Sequence, residues 1–396
     1  MEKLIFHVDV NNAFLSWTAV SLLKNGHPID IRTIASIIGG DEKARRGIVL
    51  AKSPVAKKYG IKTAQTLYEA RKKCPGLKSF PPDMKLYKEM SDKLYHYLLK
   101  YTPDVKRASI DECFLDMTGT SFLYEDYEEL AYHIKDEIKK EYGFTVNVGI
   151  AHNELCAKMA SDFEKPDKVH TLFKNEVKEK LWPLPVSSLF LVGKKTVPKL
   201  QKLNIFTIED LANADLDLLN REFKSHGKYM KSAANGEDAR NMHGDTTGSH
   251  KSISTSKTLP KDVSDIEELK KILLIQTEEV ARSLRKQKMY AQTVSVIYKN
   301  TNFQNYTHGK KLSKAIDTTE DIYKEIVKLL EESYNGENIR LIGLRLSDLV
   351  DHQTDQISLF EEEAKEEHDK DKMQKLIDEI NEKYGSGSIL SASLKK

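Results

Sequence analysis

Cysteine is scarce in this chain of 396 residues: Cys74, Cys113 and Cys156 lie far apart, are odd in number and show no CxxC spacing. That pattern indicates neither a disulfide framework nor a zinc site. Long hydrophobic runs are lacking too, so no membrane span is expected, and the opening MEKLIFHVDV has too short an apolar run for a secretory signal. The expectation is a cytoplasmic protein with no membrane partner. A charge excess of one sign is also missing, since the formal net charge is only +2. The balance is nevertheless uneven. Residues 351–396 hold 7 Lys or Arg against 12 Asp or Glu, which leaves 55 against 48 for residues 1–350. A basic body with an acidic tail permits a polyanionic partner without requiring one.

Hydrophobic residues at 39% and charged residues at 31% are ordinary for a soluble protein, and 396 residues exceed what one core usually supports. Several domains are therefore expected. Breaks fall at Cys74-Pro75-Gly76 and Pro81-Pro82, at Lys165-Pro166-Asp167, and at Trp182-Pro183-Leu184-Pro185. The longest polar stretch, Ala234 to Ser252, reads as a linker. Beyond it, periodicity predicts a helix over Ile266 to Lys286, a strand over Thr293 to Tyr298, a helix over Thr318 to Glu332 and a strand over Ile339 to Leu349. These suit a small α+β module with helices on one sheet face.

Two segments carry the chemistry. In FHVDVNNAF the apolar run Leu4 to Val8 ends on Asp9; in SIDECFLDM, Asp111 and Glu112 stand between Ser109-Ile110 and Cys113-Phe114-Leu115. A carboxylate in an apolar strand is costly unless a cation compensates it, and a few hard oxygen donors suit Mg²⁺. Neighbouring strand residues point to opposite faces, so Asp111 and Glu112 serve one site only where the chain turns or bulges. Phosphoryl or nucleotidyl transfer follows from such a site. Taken singly, the segments also read as a helix cap at Asp9 and an ordinary turn at Asp111-Glu112.

Seven segments in order resemble the bacterial branch of the Y-family translesion DNA polymerases: FHVDVNNAF, GIVLAKSPVAKKYGIKT, SIDECFLDM, VNVGIAHNELCAKMASDFEKP, LFLVGKKTVPKLQKLNIFTIEDL, KSISTSKTL and IRLIGLRLSDL. The resemblance implies an α+β right-hand polymerase of palm, fingers and thumb plus a C-terminal little finger domain. It implies a palm of residues 1–14 and 80–166, fingers of 15–79, and a thumb of 167–233 with a helix-hairpin-helix. A linker of 234–250, a little finger of 251–350 and an acidic tail of 351–396 complete the chain. The activity implied is template-directed addition of deoxynucleotides to a primer 3′ end, error-prone and active across lesions. Primer–template DNA and deoxynucleoside triphosphates are the implied partners, and a monomer is expected.

Carried onto matching positions, the resemblance makes Asp9, Asp111 and Glu112 catalytic metal ligands, with the Val10 carbonyl as a further ligand, for two Mg²⁺ ions roughly 3.5–4 Å apart. The second Asp of the family's usual D-x-D is Asn11 here. Phe14 falls at the steric gate, where a ring beneath the incoming sugar admits C2′ hydrogen and rejects hydroxyl; without the resemblance it reads as a core Phe. Lys57 and Lys165 fall at triphosphate-binding positions, although a surface lysine is more often merely solvated. Lys57 stands where many relatives have Arg, and Pro54 where Tyr is frequent, a phosphate bond that Ser53 could supply instead. In the helix-hairpin-helix, Gly193 and Lys194 are implied DNA-phosphate contacts. Leu191 and Asn204 replace glycines usual there, and Asn tolerates left-handed backbone far better than Leu. Lys251, Lys257 and Arg345 are implied to grip the DNA backbone without reading bases. In the tail, Gln356, Leu359 and Phe360 of QISLF resemble a sliding-clamp-binding motif.

Two rivals are weighed. Gly39-Gly40-Asp41-Glu42 resembles the GGDEF hairpin of diguanylate cyclases, but Lys43-Ala44-Arg45-Arg46 follows where an apolar strand is needed. A non-catalytic polymerase-like subunit that only binds DNA and the clamp has no use for three mutually repelling carboxylates.

Overall fold

The computed structural model describes residues 3–41, 47–238 and 252–351, with residues 379, 380 and 383. They divide into two compact units, the first holding the described residues up to Asp238 and the second those from Ser252.

In the first unit, β1 (Ile5–Val10) is buried along its whole length, because both faces of its sheet are covered. The chain continues through α1 (Ala13–Lys24), β2 (Ser36–Gly39), β3 (Val49–Lys52), α2 (Pro54–Lys58), α3 (Leu67–Lys73) and β4 (Lys78–Phe80). It returns through α4 (Met84–Leu98), β5 (Val105–Arg107), β6 (Glu112–Asp116), α5 (Tyr127–Tyr142), β7 (Val146–Ala151), α6 (Glu154–Ser161) and β8 (Val169–Leu172). The main sheet has the order β5-β6-β1-β7-β8, so β1 lies between two antiparallel partners.

Strand alternation then sorts the side chains. Phe6, Val8 and Val10 join Cys113, Leu115, Val148 and Ile150 in a core closed by Leu94 and Leu98 of α4 and Ile134 and Ile138 of α5. Ile5 belongs to the opposite core, with Leu155 and Met159 of α6. His7 and Asp9, two and four residues on, therefore face the α6 side. That helix comes so close to β7 that a Cβ on Gly149 would lie 1.9 Å from the Ala157 carbonyl oxygen. Only glycine fits there.

The smaller sheet, ordered β3-β2-β4, has its own core of Ile37, Val49, Ala56 and Leu67. Its helices begin as their sequences dictate: Ser53 caps α2 with Pro54 in the first turn, and Thr66 and Glu69 form a capping box on α3. Gly39 is the last residue of β2 and lies opposite Val49 of β3.

After β8 come α7 (Val197–Lys202), α8 (Ile208–Asn213), α9 (Leu216–Phe223) and α10 (Ser225–Ala234), whose Leu200, Leu211, Leu219 and Met230 share one core with α6. β8 pairs in parallel with β7, so the main sheet runs past residue 166 to Leu172.

The second unit is β9 (Ser252–Val263), α11 (Ile266–Lys286), β10 (Tyr290–Asn300), β11 (Asn305–Ile316), α12 (Thr319–Ser333) and β12 (Ile339–Val350). Its antiparallel sheet is ordered β11-β10-β12-β9. Leu269, Leu273 and Val280 of α11 and Ile322 and Ile326 of α12 pack on Val294, Val296, Leu344 and Leu346; among the described residues no helix covers the other sheet face. The helix over Ile266–Lys286 matches its predicted span; β9 and β11 are strands that periodicity did not predict.

Candidate active site

Asp9 and Glu112 meet because β1 and β6 pair with these two residues opposite each other. Residues paired in this way share a sheet face, so both carboxylates project to the α6 side. Asp111 lies one residue before β6, in the turn from β5, where the N–H groups of Ala108 and Ser109 donate to the Glu112 carbonyl at 2.9 and 3.3 Å. A turn is what two consecutive carboxylates need if they are to serve one site. The Ser109 hydroxyl donates to Asp111 Oδ1 at 2.6 Å, and the Val10 N–H donates to the Asp111 carbonyl at 3.0 Å.

Each strand carboxylate has its own cation. Lys165 Nζ lies 2.5 Å from Asp9 Oδ2 and 2.7 Å from Asp162 Oδ1, whereas Lys158 on α6 lies 2.7 Å from Glu112 Oε1. His7 Nδ1 is 2.8 Å from Ser161 Oγ, and its Nε2 is 3.8 Å from Glu112 Oε2. His7 first, and then Lys158, hold the Glu112 carboxyl at about 2, against the opposing effect of burial. At 3.8 Å the imidazole lies beyond hydrogen-bond length, so its pull is through space. Burial pushes the Asp9 carboxyl up by more than Lys165 pulls it down. Burial pulls Lys165 down, but Asp9 and Asp162 outweigh it and leave this lysine raised. The pair is thus asymmetric: Lys165 keeps its proton, while Asp9 is only partly compensated. Among the described residues no three Asp, Glu, His or Cys side chains form a metal-holding group; the lysines engage Asp9 and Glu112 instead.

Phe14, on the first turn of α1, is half-buried and stacks on Tyr87 with ring centroids 4.5 Å apart and planes 13° from parallel. The Tyr87 hydroxyl is 2.9 Å from Thr18 Oγ1, which fixes the stack from behind. Lys57 is exposed on α2, and its charge, after burial, helps to lower the pKa of Lys52. Ser53 does not offer the phosphate contact that its position suggested. Its buried Oγ donates to the Ile34 carbonyl and accepts from the N–H groups of Ala56 and Ser36.

Gly193 and Lys194 lie in the exposed turn before α7, where the Gly193 carbonyl accepts the Thr196 N–H at 2.8 Å. Leu191 takes φ 81° and Asn204 φ 61°, so both replacements of glycine adopt left-handed backbone, the leucine against its side chain's preference. In the second unit, Arg345 is exposed on β12 opposite Ser254 and Ser295, on the sheet face away from the helices. Lys257 is opposite Ile342, a core residue, and so belongs to the helix-covered side of the edge strand β9. Lys251, Gln356, Leu359 and Phe360 lie outside the described residues.

His7 and Lys158 belong to the site and were not read from sequence. One signal was available: His7 is a polar residue two positions before Asp9 in an apolar strand, and a period of two puts both on one face. Lys158 depends on the packing of α6, which spacing does not reveal.

The sequence matches the impB/mucB/samB family over residues 8–162, its C-terminal domain over 250–359, and the IMS family HHH motif over 174–205. DNA polymerase IV of Clostridium acetobutylicum is 47% identical over 100% of this chain and 98% of its own length. DNA polymerase IV of Alkaliphilus oremlandii is 37% identical over 100% and 99%. The chain belongs to the Y family of DNA polymerases. It is a template-directed DNA polymerase of the translesion class, a nucleotidyltransferase that binds DNA and deoxynucleoside triphosphates and shares the family's dependence on divalent metal. Among solved structures, a Y-family polymerase chimera of Dbh and Dpo4 superimposes with a TM-score of 0.73 at 22% identity, over 88% of this chain and 100% of that one. The expected right-hand fold with an added C-terminal domain is the fold these proteins share. Among the described residues, no helix is long and apolar enough to cross a membrane.

Proposed function

We propose that Asp9, Asp111 and Glu112 are the polymerase's catalytic carboxylates and hold two Mg²⁺ ions, with the Val10 carbonyl as a further ligand. The observation that carries this reading is the opposition of Asp9 and Glu112 on one sheet face, with Asp111 in the adjoining turn. The donor set fits: these are hard oxygens of the kind Mg²⁺ prefers, and Asp9 is buried beyond what one ammonium offsets. The bound ions supply the charge that activates the primer 3′-hydroxyl and neutralises the departing pyrophosphate. The chain's own residues do the rest. Lys165, adjoining Asp9, would offer its ammonium to the triphosphate, and Lys57 would add a second point charge from α2. Lys158 and His7 keep Glu112 ionised and aimed. Phe14, backed by Tyr87, closes the space beneath C2′ and so excludes ribonucleotides.

The palm comprises residues 1–14 and 80–172, the fingers 15–79, the thumb 173–233 and the little finger 251–350. Gly193, Lys194, Lys251 and Arg345 contact the DNA backbone, whereas Lys257, on the helix-covered side of β9, does not share the Arg345 face; the Ser- and Gly-bearing face around Arg345 lets a phosphate chain approach closely. Gln356, Leu359 and Phe360 bind the sliding clamp, and the polymerase acts as a monomer in the cytoplasm.

Extension of a labelled primer across a Mg²⁺ titration tests the metal assignment. Wild type should extend only with added metal, and Asp9→Asn should need far more metal or fail outright. Equal metal dependence in the two proteins would remove Asp9 from the ligand set.

A further inference from the structure

The loop that carries Lys165 is clamped on both sides by two buried amides that the mechanism above does not use. Asn147 on β7 is fully buried, and its Nδ2 donates to the carbonyls of Ser161 at 2.9 Å and Glu164 at 2.7 Å. Carbonyls only accept, so this end of the amide is its nitrogen and Oδ1 faces the other way. There Oδ1 accepts from Asn11 Nδ2 at 3.0 Å and from the Lys168 N–H at 3.3 Å. With its nitrogen engaged, Asn11 uses its own Oδ1 to accept the Asp167 N–H at 2.9 Å. Main-chain groups at both ends therefore dictate the polarity of the whole chain of bonds. Asp167 takes φ 64°, and its carboxylate is held from α5 by Lys135 at 2.9 Å and Lys139 at 2.8 Å. Lys165 lies between Glu164 and Asp167, the two points where the clamp grips.

We propose that Asn11 and Asn147 are positioning residues: their amide relay fixes the main chain on both sides of Lys165 and so sets deoxynucleotide affinity without touching the nucleotide. This rests on the reading of Lys165 as a triphosphate ligand. Two asparagines are required as a pair. A carboxylate at position 11 would turn an oxygen without hydrogen toward Asn147 Oδ1, and a buried acceptor facing an acceptor is strongly disfavoured.

The test is steady-state single-nucleotide incorporation on a primed template by the full chain. Wild type is compared with Lys165→Ala, Asn147→Ala, Asn11→Ala and the double variant Asn147→Ala plus Lys165→Ala, each with a thermal unfolding curve. Lys165→Ala should raise KM for the deoxynucleotide. Asn147→Ala and Asn11→Ala should each raise it about tenfold with a smaller change in kcat. In the Lys165→Ala background, Asn147→Ala should add less than about twofold, because the lysine it positions is gone. An equal Asn147→Ala effect in both backgrounds overturns the proposal while leaving Lys165 as a ligand. So does a lowered Tm with unchanged KM. An unchanged KM in Lys165→Ala itself removes the underlying reading and the proposal with it. Should Asn147→Ala not fold, Asn11→Ala breaks the same relay and is judged by the same comparisons.

Discussion

Asp9 and Glu112 stand opposite each other on β1 and β6, yet they do not share a lysine: Lys165 holds the first at 2.5 Å and Lys158 the second at 2.7 Å. Sheet register sets the opposition, and the separation of the cations follows from α6, which presents Lys158, and from the loop beyond it, which presents Lys165. Each lysine thus compensates one strand carboxylate.

Phe14→Ala should admit ribonucleotides. The ring is held by its stack on Tyr87, and its loss opens space beneath the sugar. The ratio of kcat/KM for ribo- over deoxynucleotide should rise at least about tenfold, the order expected for opening a pocket by more than a methylene. An unchanged ratio would make Phe14 a core residue only.

Asp167 should make stability depend on acid pH. Burial pushes its carboxyl up, but Lys139 and Lys135 outweigh it and leave the folded value below the usual one. The contribution is therefore fully present above the unfolded value of about 3.9 and is lost as pH falls through the lower folded value. In urea unfolding, Asp167→Asn should cost about 1 kcal/mol at pH 7, and the gap to wild type should narrow from about pH 4 downward. A gap that stays constant between pH 6 and pH 3 contradicts this.

Gly149→Ala should unfold or strongly destabilise the first unit. The added Cβ would sit 1.9 Å from the Ala157 carbonyl oxygen and 2.5 Å from the Ser161 nitrogen, and neither is the movable end of a side chain. A loss of about 3 kcal/mol or more is expected, with polymerase activity falling as α6 carries Lys158 away. A Tm within a degree or two of wild type would show that α6 can retreat freely.

Leu191→Gly should behave in the opposite way. Leu191 holds φ 81° and is 37% exposed, so glycine relieves strain while giving up little burial. Stability should stay level or rise by up to about 1 kcal/mol, since glycine's greater freedom when unfolded offsets part of the gain. A clear fall in Tm would mean that the leucine side chain does more for the thumb than its exposure suggests.

Sequence patterning disclosed some of this architecture and not the rest, for physical reasons. Asp9, Asp111 and Glu112 stand out because charge inside an apolar strand is anomalous wherever it occurs. The helix Ile266–Lys286 was legible because one face must be apolar to cover a sheet. The two unread strands, β9 and β11, are the sheet's edges; their sequences SISTSKTLPKDV and NYTHGKKLSKAI are largely polar, as exposed edge strands can be, so alternation is weak. Lys158 and Asn147 were invisible for another reason. Their partners lie 46 and 136 residues away, and only strand register and helix packing bring them together. Ser53 misled because a hydroxyl near a phosphate-binding position looks available, while the helix it caps had already claimed it.

Extension of a labelled primer on a DNA template with Mg²⁺ and the four deoxynucleotides decides whether these carboxylates catalyse the reaction, when wild type is compared with Asp111→Ala plus Glu112→Ala and DNA binding is measured for both. Template-directed addition by wild type that vanishes in the variant, while DNA binding and folding persist, is the predicted result. Addition at an undiminished rate by the variant would contradict the assignment of these carboxylates as the catalytic centre.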